Sequence, residues 1–280
     1  MRKLNFSSVM SSTVLVVALV SAPGYAYAQE ENQAQQFEGF NLQGYDEGGE
    51  KAWDVKGDTA DIFGDTIAIT NVDANRYGEQ QTNLKAKTGT MNKASGDIFL
   101  KEDVVITTER GSQLTTDTLE WEKEADIVHT DDPVVITDEA FVATGTGLRA
   151  QPGLKLAQMN KDVTVNVKTD AQNDPGKVVT ITCDGPMEID QKKNMAVFQD
   201  NVVAIQDDRT LKADRMEVYF DPETHKIQET VCIGNVSILQ GDNVTYSDRA
   251  VYMAATQKLT LSGSPKLIMI TEDKDSMPSF

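Results

Sequence analysis

The stretch Asp103-Val104-Val105-Ile106 decides how this chain is read, because it returns. A small polar residue precedes β-branched residues in alternation. The phrase recurs as Asp132-Pro133-Val134-Val135-Ile136, Asp162-Val163-Thr164-Val165, Asn201-Val202-Val203-Ala204-Ile205 and Asn235-Val236-Ser237-Ile238. A degenerate sixth copy is Ser264-Pro265-Lys266-Leu267. The first valines of the five clear copies are Val104, Val134, Val163, Val202 and Val236. Their spacing is roughly 30 to 40 residues, and an internal period of this size marks a repeat architecture. Each unit buries its apolar face mainly against its neighbours, which favours long grooves and open ends over a single catalytic pocket.

Each unit also has an earlier half. It is an apolar residue, two small residues, Asp, then an alternating strand. It reads Leu114-Thr115-Thr116-Asp117-Thr118-Leu119-Glu120-Trp121, then Leu211-Lys212-Ala213-Asp214-Arg215-Met216-Glu217-Val218, then Val244-Thr245-Tyr246-Ser247-Asp248-Arg249-Ala250-Val251-Tyr252. Short alternating stretches such as Thr66-Ile67-Ala68-Ile69-Thr70 and Lys258-Leu259-Thr260-Leu261-Ser262 are the pattern of half-buried strands. Turn signals separate them, among them Lys93 to Asp97, Glu109 to Ser112, Asp221 to Thr224 and Gln240 to Asn243. No stretch after residue 30 reads as a long amphipathic helix. The expected fold is all-β and antiparallel, with two strands and two turns per unit.

Residues 1–28 read as a targeting segment. Arg2 and Lys3 precede an apolar run from Val9 to Ala22, Pro23 and Gly24 break it, and Ala26-Tyr27-Ala28 fits a small-x-small cleavage site. The run is shorter than the roughly 20 residues a spanning helix needs. The alternative is an uncleaved inner-membrane anchor over residues 9–22. Residues 29–51 are rich in Gln, Glu, Asn and Gly and read as a disordered tether. The polar stretch around Asp174-Pro175-Gly176 reads as a linker at 169–176, dividing modules at 52–168 and 177–272 from each other. Residues 273–280 read as a tail.

The chain carries a formal charge of −18, which becomes −20 when the leader at 1–28 is removed with its two cations, Arg2 and Lys3. Nucleic-acid binding needs a basic footprint, and docking to an anionic membrane by charge needs cations, so neither fits. The two cysteines, Cys183 and Cys232, leave pairing open. An exported protein meets oxidising conditions, yet Cys183 shares a face with Val179 and Ile181, whereas Cys232 lies on the face opposite Val231 and Ile233.

The second half, from Leu211-Lys212-Ala213-Asp214 through Ile233-Gly234-Asn235-Val236-Ser237-Ile238 to Leu259-Thr260-Leu261-Ser262-Gly263-Ser264-Pro265, resembles the OstA-like family. That family is the periplasmic A component of the lipopolysaccharide transport machinery. The first half resembles the C component of the same system, through Trp53-Asp54-Val55-Lys56-Gly57, Leu84 to Gly89, Thr108 to Leu114 and Thr144-Gly145-Thr146-Gly147-Leu148. The resemblance implies an open β-jellyroll, a folded-over antiparallel sheet whose halves face each other across an apolar cleft. It implies that the cleft carries lipid A acyl chains and that jellyrolls stack end to end into a bridge. It further implies an inner-membrane ATP-driven transporter, an outer-membrane assembly protein and head-to-tail self-association as partners. Two features depart from the family pattern. The start looks cleavable where the C component keeps an anchor, and two modules share one chain where they are usually separate proteins.

The expected groove lining follows from the alternating apolar residues. In the first module it is Ile98, Leu100, Val104, Ile106, Leu119, Trp121, Val134 and Ile136. In the second it is Ile181, Met187, Ile189, Val202, Leu211, Met216, Val218, Val236, Ile238, Leu259 and Leu261. The expected docking edge is Leu267, Ile268, Met269 and Ile270, in the last strand. Trp121 and Phe141 also fit a plain core. The repeated Asp117, Asp214 and Asp248 read first as turn residues whose carboxylates bond nearby backbone N–H groups. Gly145-Thr146-Gly147 reads as a strand corner or bulge.

Sequence signatures of catalysis are missing. His129 and His225 have no second ligand at zinc spacing, and no carboxylate pair sits in a glycosidase context. No calcium loop, phosphate loop or Gly-x-Ser-x-Gly elbow is present. The resemblance implies a lipid carrier, and nothing in these residues calls for a cofactor, a metal or enzymatic activity. The rival class is a structural or glycan-binding β-repeat protein of the envelope. With 6% aromatic residues, the chain has little with which to stack sugars.

Overall fold

The computed structural model describes residues 35–78, 81–151, 154–169, 177–224 and 226–269. The chain forms β1 (Gln35–Tyr45), β2 (Lys51–Phe63), β3 (Thr66–Arg76), β4 (Thr82–Asn92), β5 (Ile98–Thr108) and β6 (Gln113–Glu122). It continues with β7 (Ile127–Thr137), β8 (Phe141–Gln151), β9 (Leu156–Thr169), β10 (Lys177–Cys183), β11 (Met187–Asp190) and β12 (Met195–Gln206). The last strands are β13 (Arg209–Phe220), β14 (Ile227–Gln240), β15 (Asn243–Met253), β16 (Lys258–Ser262) and β17 (Lys266–Ile268). Among the described residues there is no α-helix.

The 17 strands of the described residues belong to one sheet. The pairings are antiparallel and follow the chain as a meander. β10 and β11 are two halves of one interrupted strand, since both pair with β9 and with β12. β16 and β17 share β15 in the same way. The sheet therefore continues without a break across the join of the two expected modules. Tight turns fall where the sequence signalled them. Asn92 Oδ1 accepts from the Ala94 N–H at 2.8 Å, and Asp221 caps its turn through the same kind of contact.

One expectation needs correction. The disordered tether expected over 29–51 contains a strand: Gln35–Tyr45 forms β1, paired with β2 from Gln35↔Ile62 to Tyr45↔Lys51. Composition misses such a strand because its stability comes from main-chain hydrogen bonds and not from burial. Phe37, Leu42 and Tyr45 remain exposed on it.

A line of irregularities crosses the sheet. Register shifts fall at Lys85/Thr88, Lys101/Val104, Thr115/Glu120, Thr130/Pro133 and Thr144/Thr146. They resume at Gln199/Val202, Lys212/Arg215 and Ile233/Val236. The gaps between β10 and β11 and between β16 and β17 lie on the same line. A bulge bends its strand and increases the local twist. Bulges aligned over many strands bend the whole sheet, which gives the open β-jellyroll.

The recurring phrase is the chemistry of this line. Its polar residue takes left-handed backbone at Asp103 (φ 53), Asp162 (φ 55), Asn201 (φ 52), Asn235 (φ 47) and Ser264 (φ 53). Asp and Asn tolerate that conformation better than other side chains. The valine that follows points inward and is buried: Val104, Val163, Val202 and Val236 are each at most 1% exposed. Each such valine faces a small residue on the next strand. The pairs are Val72↔Ala86, Val104↔Thr116, Val134↔Gly145, Val163↔Cys183, Val202↔Ala213 and Val236↔Ser247. The partner must be small because the bend crowds the inner face. A Cβ on Gly145 would stand 2.3 Å from Met159 Sδ. The Gly145–Gly147 corner is confirmed by the register shift at Thr144/Thr146 and by φ 73 at Gly147.

Candidate functional site, the apolar inner face

The inner face holds two apolar clusters. One gathers Val72, Ala86, Leu100, Val104 and Leu119, with Ile98 and Ile106 packed against them. The other runs from Val134 on β7 to Ala250 on β15 and includes Met159, Ile181, Phe198, Met216 and Cys232. Of the expected lining, Ile98, Leu100, Val104, Ile106 and Leu119 belong to the first cluster. Val134, Ile136, Ile181, Met187, Ile189, Val202, Leu211, Met216, Val218, Val236, Ile238 and Leu261 belong to the second. Trp121 and Leu259 belong to neither, though their partners place them on the same face. Trp121 pairs with Ile98, and Leu259 with Tyr252 two positions along from Ala250↔Leu261. Both stand near strand ends and are largely exposed. Phe141 packs against the second cluster, in line with its core reading.

Sequence reading missed Ala143, Leu148, Met159, Val163, Val165, Phe198, Ala213 and Ala250 on this face. Two signals were available. Val163 follows the polar residue of the repeated phrase, and Ala213 holds the second small position of the earlier half-unit. What hid the rest is the bend. On β13 the inward residues are Leu211, Ala213, Met216 and Val218, so the spacing jumps from two to three at Asp214. A strict two-residue alternation puts residues beyond the jump on the wrong face.

Polar contacts brace the outside of the bend. Asn235 Nδ2 donates to Asp214 Oδ2 at 2.9 Å, and Asn201 Nδ2 donates to Asp184 Oδ2 at 2.7 Å. Asn71 Nδ2 donates to Asp58, Lys87 pairs with Asp103 at 2.7 Å, and Thr118 Oγ1 donates to Asp132. Asp214 thus bonds a side chain on the next strand and not a backbone N–H. At Asp248 it is the backbone that engages, its N–H donating to Gly263 O. These carboxylates hold the corner.

At the first hairpins a second polar group ties the sheet. Asp54 is 2% exposed and pairs with Lys51, while Asn75 Nδ2 and Tyr77 Oη each donate to it at 2.9 Å. Lys51 Nζ also lies 5.1 Å from the Tyr77 ring centre. The Lys51 ammonium foremost, then Asn75, holds the Asp54 carboxyl at about 2. His129 Nε2 sits 3.0 Å from Glu122 Oε1, a cross-strand contact at the surface. His225 lies outside the described residues. Among the described residues no group of three or more His, Cys, Asp or Glu could hold a metal ion.

Both cysteines are free thiols buried in the second cluster. Burial pushes the Cys183 thiol up and the Cys232 thiol to about 12. At the C-terminal edge Leu267, Ile268 and Met269 are all exposed. β17 pairs with β15 alone among the described residues, and Ile270 lies outside them. Residues 1–28, 170–176 and 273–280 also lie outside them. Among the described residues no helix is long and apolar enough to cross a membrane.

A repeat-built, single-sheet β-jellyroll with an apolar inner face defines the structural class. Residues 12–170 match the family of lipopolysaccharide-assembly, LptC-related proteins, and residues 180–278 match the LptA/(LptD N-terminal domain) LPS transport proteins. The first match spans more than half of the chain, which belongs to the LptC-related lipopolysaccharide-assembly family. No curated protein matches the chain. Its role is in lipopolysaccharide transport, and the second match follows the first as an OstA-like segment.

Proposed function

We propose that the inner face is a carrier groove that holds lipopolysaccharide acyl chains and passes them across the periplasm toward the outer membrane. The supporting observation is the pair of inward apolar clusters, one around Val72, Leu100 and Leu119 and the other running from Val134 on β7 to Ala250 on β15. Burying an acyl chain of a dozen carbons there is favourable by roughly 10 kcal/mol relative to water. Relative to a membrane the gain is near zero, since both surroundings are apolar. Direction then comes from an ATP-driven partner in the inner membrane, and this chain acts as a non-enzymatic conduit.

The two modules act as a pre-joined segment of the bridge, with neighbouring jellyrolls or a second copy added at the ends. Residues 1–28 direct export and are cleaved, which places the mature chain in the periplasm with Gln29 at its start. An intact Met1 in a membrane fraction would instead support the anchor at residues 9–22.

Photocrosslinking residues at Ile106 and Ile238, both packed against the inner clusters, should trap lipopolysaccharide in cells. The same probe at Thr107 and Ser237, next in the chain and on the opposite face, should not. Equal labelling at all four positions sinks the groove assignment.

A further inference from the structure

Four polar residues are buried among the described residues: Asp54, Thr116, Thr130 and Ser247. Two of them are satisfied. Asp54 has the partners given above, and Thr130 Oγ1 accepts from the Asp132 N–H at 3.1 Å. Thr116 Oγ1 and Ser247 Oγ have no hydrogen-bond partner. A buried hydroxyl without a partner carries a desolvation cost with no return.

Their positions are equivalent. Thr116 faces Val104, and Ser247 faces Val236, each in the row of valine–small pairs along the bend. Other places in that row are filled by Ala86, Ala213 and Gly145, so steric crowding there asks only for a small side chain. It does not ask for a hydroxyl. Thr116 is 8% and Ser247 6% exposed, so both hydroxyls sit on the buried inner face and not in solvent. Eight strand steps separate β6 from β15, which at about 4.8 Å per step is ~38 Å along the sheet. One acyl chain of a dozen carbons is too short to reach both, so they are two separate stations.

Resting on the carrier reading, we infer that Thr116 and Ser247 are polar docking points for an acyl chain that carries a hydrogen-bonding group, a hydroxyl or an acyloxy oxygen, along its length. Such a group entering a dry apolar groove loses its water and requires a partner. The two orphaned hydroxyls supply one at each station, as donor or as acceptor. A plain alkyl chain gains nothing from them. The groove thereby selects hydroxylated or acyloxy-bearing chains over unsubstituted ones, which apolar lining alone cannot do.

The test uses the purified full chain with two probes, stearate and hydroxystearate, in competition with a fluorescent fatty acid. The wild type should bind hydroxystearate about three- to tenfold more tightly, the worth of one hydrogen bond. The double variant Thr116→Val, Ser247→Ala should lose that preference, read as the ratio of the two affinities. Its melting temperature should not fall, since the removed hydroxyls are unpaired. Thr116→Ser keeps a hydroxyl at the first station, and with Ser247 intact should retain the preference, which guards against a packing effect. A wild type without preference, or a double variant that keeps it, overturns this inference and leaves the carrier reading standing. A wild type that binds neither probe overturns both.

Discussion

Asn235 Nδ2 donates to Asp214 Oδ2 at 2.9 Å, joining the corner of β14 to the corner of β13. Asn235 sits in left-handed backbone at φ 47, after Gly234 at φ 78. The bond holds that corner, and the next residue, Val236, enters the core at 1% exposure. A Cβ on Gly234 would stand 2.3 Å from Asp214 Oδ2. Gly234→Ala should therefore cost about 2 kcal/mol, by backbone strain and by loss of this bond. Urea unfolding would measure it, and a midpoint equal to wild type would mean that the corner is not under this constraint.

Val134 and Val135 are adjacent and face opposite ways, 1% and 38% exposed. Val134→Ala removes buried methyl groups at the bend and should cost about 2 kcal/mol. Val135→Ala should stay within about 0.5 kcal/mol. The two denaturation curves separate only if the inward valine packs the crease.

Asp54 makes stability pH-dependent in a definite direction. Its carboxyl titrates at about 2 in the folded chain, below its ordinary 3.8. The stabilisation is complete above the unfolded value and is lost as pH falls through the folded one, so its window is about pH 4 to 2. Asp54→Asn should lose about 1–2 kcal/mol at pH 7. Chemical denaturation at pH 7 and at pH 2 should show that difference shrinking toward zero at the lower pH.

The buried thiols should resist alkylation. Cys232, pushed to about 12 by burial, holds almost no thiolate at pH 8. Iodoacetamide should label neither cysteine in the folded chain and both in urea, as counted by intact mass. Rapid native labelling of Cys232 would contradict its place in the core.

The exposed edge at β17 is the place to test docking. An unpaired strand edge offers N–H and C=O groups to a further strand. Ile268→Pro removes one donor there. It should weaken self-association in light scattering, or binding of a partner jellyroll, while circular dichroism stays native. If both associations survive the change, the docking surface lies elsewhere.

The repeat and the all-β class were legible in the sequence by itself. Period and alternation are local properties, and Val104, Val202 and Val236 announce themselves by the polar residue before them. The strand β1 was not legible, because an edge strand is stabilised by backbone pairing that side-chain composition does not report. Nor was the jump from two-residue to three-residue spacing at Asp214. Left-handed backbone at Asn235 and the small partners opposite each valine make sense only once neighbouring strands are in register. Tertiary structure alone decided that Met159 lies over Gly145, that Asp214 holds Asn235, and that Thr116 and Ser247 are buried without partners. Those facts depend on which strands the bend brings together, and a hydroxyl's lack of a partner is a property of its whole surroundings.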